Sequence, residues 1–275
     1  MEKIILMLAG EQPTDHVLSF FHYLSGLGRY RFHVLFFQPA RYAEKPALKK
    51  ALGFPYVESI VAGDLPEYVS KRQEIEDNMS AFINACDKRG LIVSARYLEG
   101  PLMESLIEES RFADLLITDA ALGATPKQLP GALLKQLLMS AKCPVIIAPA
   151  LRSTISEVVF CYDGSDAALF AMKQFTYLLP ELNEARGTVV QVKNDDLPAD
   201  EKGMIASWLS NHYAYSDVVT LKGDPGNELF TYLLKKRHAL VVMGAYGRSL
   251  LSNFLQHSQA DLFIQSLTYP IFITH

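Results

Sequence analysis

The strongest constraint on this chain is that it reads twice. "KCPVIIAP" near the middle and "TYPIFITH" at the end each close a series of short aliphatic runs separated by helical stripes, setting Pro144 against Pro270. Upstream of each, "YLEGPLMESL" mirrors "TLKGDPGNEL" and sets Gly100 against Gly223. Internal repetition is read before any single element, because it divides the chain into copies of one plan. The boundary falls near Ala150 to Ser153, just after "AP", and gives two domains, 1–150 and 151–275.

Within each copy, strand-like runs alternate with helical patterns. Residues 3–9, 32–37, 91–98, 114–118 and 144–148 read as strands in the first, and 157–165, 188–192, 217–221, 240–243 and 270–274 in the second. Val17, Phe20, Phe21 and Leu24 recur at helical spacing after the first run, as do Ala168, Met172, Phe175, Thr176 and Leu179 after its counterpart. A further helical stretch runs from about Leu65 to Lys88, and another carries Met103, Leu106 and Ile107. Near-continuous apolar strands joined by helices predict parallel sheets covered on both faces. One segment breaks the rhythm. Residues 38–67, with four prolines, read as a long crossover at the sheet's edge, or, on the sharper reading, as a lid over a site.

Composition excludes several function classes. A net charge of −4 offers no electrostatic attraction to nucleic acid or to an anionic membrane. The three cysteines, Cys86, Cys143 and Cys161, are widely spaced and read as buried structural thiols rather than disulfides or zinc ligands. The seven histidines show neither HxxxH nor HExxH spacing, so no metal site is expected. The opening "MEKIILMLAGEQ" is too short an apolar run for a signal peptide, and no stretch approaches membrane-span length. A cytoplasmic protein is the expectation.

In open parallel α/β sheets ligands bind beyond the carboxyl ends of the strands. Asp163-Gly164-Ser165 ends the first strand of the second copy and opens a helix. There Asp163 can accept a hydrogen bond from a base or ribose, and Gly164 lets the backbone turn, although helix capping alone accounts for Asp or Ser at such a place. Gly244 and Gly247 follow the fourth strand, where backbone without Cβ atoms can approach an anion. His257-Ser258 comes later on a predicted helix with Leu255, Leu262 and Phe263 turned inward, and a hydroxyl beside free N–H groups suits phosphate.

With those residues in view, "VVMGAYGRSLLSNFLQHSQADLFIQSLTYPIFITH" resembles the closing segment of the universal stress protein family. "FCYDGSDAALFAMK" is similar to that family's first strand and helix, and "GDPGNEL" to its third-strand exit. The resemblance covers most of 155–275 and, more faintly, 1–150, so the chain looks like a tandem member. It implies two Rossmann-like domains, each a five-stranded parallel sheet of order 3-2-1-4-5 with helices on both faces. It also implies pairing through the fifth strands, here within the chain between the two copies, with a homodimer as a further option.

Some members of the family bind ATP through G-x2-G-x9-G-[S/T] and an aspartate at the end of the first strand. Carried onto this sequence, Asp163, Gly164 and Ser165 form the base and ribose loop, and the backbone near Val192 brackets the base. Gly244, Gly247 and Arg248 line the triphosphate, which Ser258 bonds, with Mg accompanying it. His257 stands where the motif has its third glycine. If that position needs a positive φ or close phosphate approach, the imidazole obstructs; if only the amide N–H matters, ATP or ADP still fits. In the first copy Ala9 aligns with Asp163, and Asp119 and Leu122 with Gly244 and Gly247. A carboxylate there repels an anion, so that copy is expected not to bind nucleotide.

Three functional classes follow. The leading one is a stress-response binding module with one ATP site, acting by ligand-biased conformation rather than turnover, since no base, nucleophile or metal set is evident. The second is a scaffold that has lost nucleotide binding in both copies and acts through protein partners. The third is an enzyme that hydrolyses ATP or adenylates a substrate, because "DGSDA" faintly resembles the phosphate loop of ATP pyrophosphatases.

Overall fold

The computed structural model describes residues 3–9, 15–28, 30–37, 45–51, 54–60, 66–98, 102–119, 132–148, 154–193, 198–244 and 269–274. The first half supplies β1 (Ile4–Ala9), α1 (Asp15–Leu27), β2 (Phe32–Phe37), β3 (Lys45–Ala51), β4 (Phe54–Ile60), α2 (Pro66–Asp87), β5 (Val93–Tyr97), α3 (Leu102–Ser110), β6 (Leu115–Asp119), α4 (Ala132–Ser140) and β7 (Val145–Ala148). The second supplies β8 (Glu157–Cys161), α5 (Asp166–Leu178), β9 (Arg186–Val192), α6 (Ala199–His212), β10 (Tyr215–Leu221), α7 (Pro225–Leu234), β11 (Ala239–Gly244) and β12 (Ile271–Thr274). The helix carrying Leu255, Leu262 and Phe263 and the boundary at 150–153 lie outside the described residues.

Ten strands form one sheet in the order β10-β9-β8-β11-β12-β7-β6-β1-β2-β5. Every neighbouring pair is parallel except β12 with β7. The two five-stranded sheets that the resemblance implies are found as halves of one sheet, joined, as it also implies, through their fifth strands. Each half keeps the predicted strand sequence, yet the two are hydrogen-bonded into a single sheet. The physical reason lies in β7 and β12, both buried along their whole length. As free edges they would expose apolar side chains and a row of unpaired backbone groups.

The junction has the symmetry of the repeat. Ile146 pairs with Phe272, flanked by Val145 with Ile273 and Ile147 with Ile271. Because Val145, Ile146 and Ile147 are the repeat equivalents of Ile271, Phe272 and Ile273, each pairing is mirrored by its counterpart across a local two-fold. That is the isologous geometry of a homodimer, here made within one chain.

The interrupted segment is more than a crossover. It contains β3 and β4, which pair antiparallel as their own two-stranded sheet and do not join the main one. Pro46 and Pro55 disguised these strands in the sequence, since proline is admitted to strands only at edges or ends.

Alternation within the strands sends side chains to two apolar layers. Ile4, Leu6, Phe36, Ile146, Phe160 and Phe272 pack on one face with Phe20 of α1 and Phe175 of α5. Ile5, Met7, Leu116, Ile147, Val241 and Ile273 pack on the other with residues of α3, α4 and α7. Both layers run through both halves. On α2 the stripe of Ile75, Phe82 and Cys86 is buried while the intervening charged residues stay outside. All three cysteines are buried and free, and burial pushes the Cys143 thiol up to about 12 and raises Cys161 as well. Among the described residues no helix is long and apolar enough to cross a membrane.

Glu109 joins the start of the chain to α3 and β5. Its carboxylate accepts from Lys3 Nζ at 3.1 Å and pairs with Arg96. Burial raises this carboxyl, but the hydrogen bond from Lys3 and the charges of Arg96 and Lys3 outweigh it and hold the pKa below the usual value of 4.5. A depressed carboxyl contributes stability above its unfolded pKa and loses it as pH falls through the folded one. Glu109→Gln is expected to cost about 1 kcal/mol at neutral pH, a modest figure because the pair is partly solvated. The difference from the unsubstituted protein should fade in urea titrations as pH falls below the ordinary carboxyl range and the folded-state carboxylate takes up its proton.

Candidate functional site

The strand-end edge of the second half gathers the residues singled out by the sequence. After β8 the Tyr162 N–H donates to Val190 O at 2.9 Å, prolonging the pairing with β9 by one residue. The chain then turns. Asp163 Oδ1 accepts the Ser165 N–H at 3.0 Å, Gly164 takes φ +85°, and Ser165 Oγ accepts the Ala168 N–H at 3.2 Å to cap α5. Ser165 therefore does what an N-cap does, and one oxygen of Asp163 closes the turn. The other oxygen takes no hydrogen bond from the described residues. Positive φ explains why glycine stands at 164.

Val192 ends the adjacent strand, and the Lys193 N–H that follows donates to Leu221 O at 3.0 Å. The Lys193 side chain bends back over the turn, so that a methyl group at Gly164 would lie 3.6 Å from its Nζ. On the opposite side Gly244 ends β11, paired with Thr274. A Cβ at Gly244 would sit 2.7 Å from both C and O of Ala167 and 2.9 Å from the Ala168 N. The first turn of α5 thus crosses directly over the end of β11. Glycine is required there by helix packing, whatever binds beside it.

The order β9-β8-β11 accordingly brings Val192, Asp163, Gly164, Ser165 and Gly244 together on one edge, beside the amino end of a 13-residue helix. Gly247, Arg248, His257 and Ser258 lie outside the described residues, as does Leu122. An ammonium, a carboxylate oxygen and a helix N-terminus on one edge can hold a polar ligand with a hydrogen-bonding head and an anionic tail. Lys193 escaped the sequence reading. The signal was available, since "VKND" puts a cation on the first residue past a strand end.

The corresponding edge of the first half differs in the way the alignment anticipated. Asp119 ends β6 opposite Ala148, as Gly244 ends β11 opposite Thr274. A half-buried carboxylate occupies the position where the second half has a hydrogen atom.

No protein-family model matches the chain, and no curated protein sequence does. Solved structures do. A universal stress protein from Archaeoglobus fulgidus DSM 4304 is similar over 98% of this chain and 95% of its own, at 18% identity and a TM-score of 0.69. A Pseudomonas aeruginosa UCBPP-PA14 protein assigned to the universal stress proteins aligns over 98% of this chain and 92% of its own, at 13% identity and a TM-score of 0.58. A functionally unknown protein of Pseudomonas aeruginosa PAO1 aligns over 98% and 91%, with 13% identity and a TM-score of 0.56. At such identities the likeness establishes the fold: this α/β architecture is one that universal stress proteins adopt.

Proposed function

We propose that this chain is a tandem universal stress protein, built from domains 1–150 and 151–275, whose second half binds ATP at the carboxyl edge of β8, β9 and β11. The observation that carries the reading is the convergence of Asp163, Val192 and Lys193 on that edge, in a fold shared with universal stress proteins over nearly the whole chain. In this reading the open oxygen of Asp163 meets the adenine or ribose, and the backbone at Val192 brackets the base. Lys193 and the start of α5 attract the phosphates. Gly247, Arg248 and Ser258 complete the cradle as the family resemblance implies. The first half holds no nucleotide, because Asp119 repels it.

The protein acts in the cytoplasm as a binding module rather than an enzyme. ATP or ADP, with Mg, biases its conformation or its choice of partner by binding one state better than another. The pairing of β7 with β12 makes each chain its own pseudo-dimer, on which a homodimer would be a further level of assembly.

A second reading, a scaffold without nucleotide, is favoured by one observation. Packing of α5 against β11 accounts for Gly244 by itself, so this glycine is no evidence of phosphate.

The two readings separate in a thermal-shift titration with MgATP, paired with mass spectrometry of ligands released from the purified protein. The binding module gains about 2.7 kcal/mol when ATP reaches a hundred times its dissociation constant. Asp163→Ala is expected to abolish that gain, and Asp119→Ala to leave it intact. A flat titration with no released nucleotide rejects the ATP reading. In that event His257→Gly either restores binding, naming the imidazole as the obstruction, or leaves the scaffold reading standing.

A further inference from the structure

The same half carries a cleft between two of its helices. Lying between α5 and α6 with a volume of about 440 Å³, it is walled by Leu169, Met172, Met204, Ile205 and Trp208 and ends on the ring of Tyr162. Its volume falls in the range of small-molecule sites, and its lining is almost wholly apolar. Met204 stands 67% exposed on its wall, an unusual place for a large apolar side chain on a helix that could have turned it inward.

Beside Tyr162, in the sheet layer beneath the cleft, sits an uncompensated polar group. Cys161 pairs with Val190, which sets Tyr162 beside Gln191 in the next register, and Gln191 pairs with Thr220 of β10. Alternation along β9 puts Gln191 on the face of Val189, which packs in the same layer as Tyr162, Met172 and Ile205. Gln191 is 1% exposed, and neither its Nε2 nor its Oε1 has a hydrogen-bond partner among the described residues. A buried primary amide left open in this way is costly, and native chains seldom keep one.

The charges at the rim balance. The Tyr162 hydroxyl donates to the Glu201 carboxylate at 2.5 Å, while Lys173 supplies one cation on the other wall. With one group of each sign and apolar walls, the cleft gains nothing from an ionised ligand and would have to desolvate it. A triphosphate does not suit it.

We infer that the α5–α6 cleft is a second binding site, for a small uncharged aromatic molecule carrying one hydrogen-bonding group. The aromatic body lies against Trp208, Met204 and Leu169, where a thioether and an indole both favour ring contacts. The polar group reaches the Tyr162–Gln191 row, whose amide offers a donor and an acceptor together. This site is independent of the nucleotide reading and stands or falls separately from it.

Trp208 is the single tryptophan of the chain and lines the cleft, so its fluorescence responds to a probe bound there. The test uses N-phenyl-1-naphthylamine, an uncharged aromatic amine that accepts energy from indole. The expected result is saturable quenching of Trp208 at one probe per chain, with matching probe emission. Leu169→Phe, which fills the cleft, and Gln191→Leu, which removes the amide, are each expected to weaken binding about tenfold or more. Circular dichroism melts of both variants verify that they fold. Absence of saturable quenching overturns the inference. So does binding unchanged by both substitutions, or displacement of the probe by MgATP, which would put it in the strand-end site instead.

Discussion

Gly244→Ala is expected to destabilise the protein by about 2–3 kcal/mol in the complete absence of nucleotide, the cost of forcing a methyl group into a packed interior. The atoms it meets are backbone, Ala167 C and O at 2.7 Å and Ala168 N at 2.9 Å, and backbone cannot swing aside as a flexible side chain can. Nor can α5 lift away at little cost. Its inner face carries Ala168, Ala171, Met172 and Phe175, all buried against the sheet. Urea or thermal unfolding of the nucleotide-free variant measures the effect, and a change below about 0.5 kcal/mol, the ordinary size for an inconsequential substitution, would contradict it. The consequence for function is practical. Loss of ATP binding in a Gly244 variant would report damaged packing as readily as a damaged cradle. Asp163→Ala is the cleaner probe, because Asp163 holds its turn through one hydrogen bond while the capping of α5 belongs to Ser165.

The same residue shows where the sequence was legible and where it was not. The element plan was open to reading because the central strands are buried on both faces and so carry unbroken aliphatic runs, as in "LLIT", "EVVFC" and "LVVM". The strand order within each half came from resemblance and is the one found. The pairing of the fifth strands also came from resemblance and had no signal of its own in the sequence. Parallel and antiparallel neighbours bury the same residues, so nothing in "PVIIA" or "PIFIT" distinguishes an edge strand from one paired with its own repeat. The β3–β4 hairpin was hidden for another reason, since two prolines and a run of lysines suppress the alternation that marks a strand.

At the candidate site, strand ends and helix starts were readable because Asp-Gly-Ser is the vocabulary of a tight turn into a helix. What a linear pattern could not separate is a glycine needed by a ligand from one needed by a neighbouring helix. Gly244 fits both descriptions in the sequence, and only the distance to Ala167 decides that packing alone suffices. The cleft under α6 was invisible for a related reason. Its residues come from three segments, and Gln191 reads as an ordinary polar residue of "TVVQV" until its burial is known.

The junction between the halves leads to the other large effect. Phe272→Ala is expected to cost about 3–5 kcal/mol, the range for deleting a fully buried aromatic ring. Phe272 is completely buried, lies edge-on to Phe175 at 5.2 Å between centroids, and faces Ile146 across the central strand pair. The core layer it belongs to also contains Ile4, Ile117 and Ile146 of the first half. A cavity there removes contacts from both halves at once. The loss should therefore appear on both sides of the junction. Hydrogen exchange offers the decisive readout, because core amides open only with the cooperative unit to which they belong. Amides of β6 and β7 are expected to lose protection together with those of β11 and β12. Loss confined to β11 and β12 would mean that the halves unfold independently and that the β7–β12 pairing joins them without coupling their stability. Coupled loss would mean that the fused sheet is one cooperative body, in which a ligand bound beside Asp163 stabilises the distant half as well as its own.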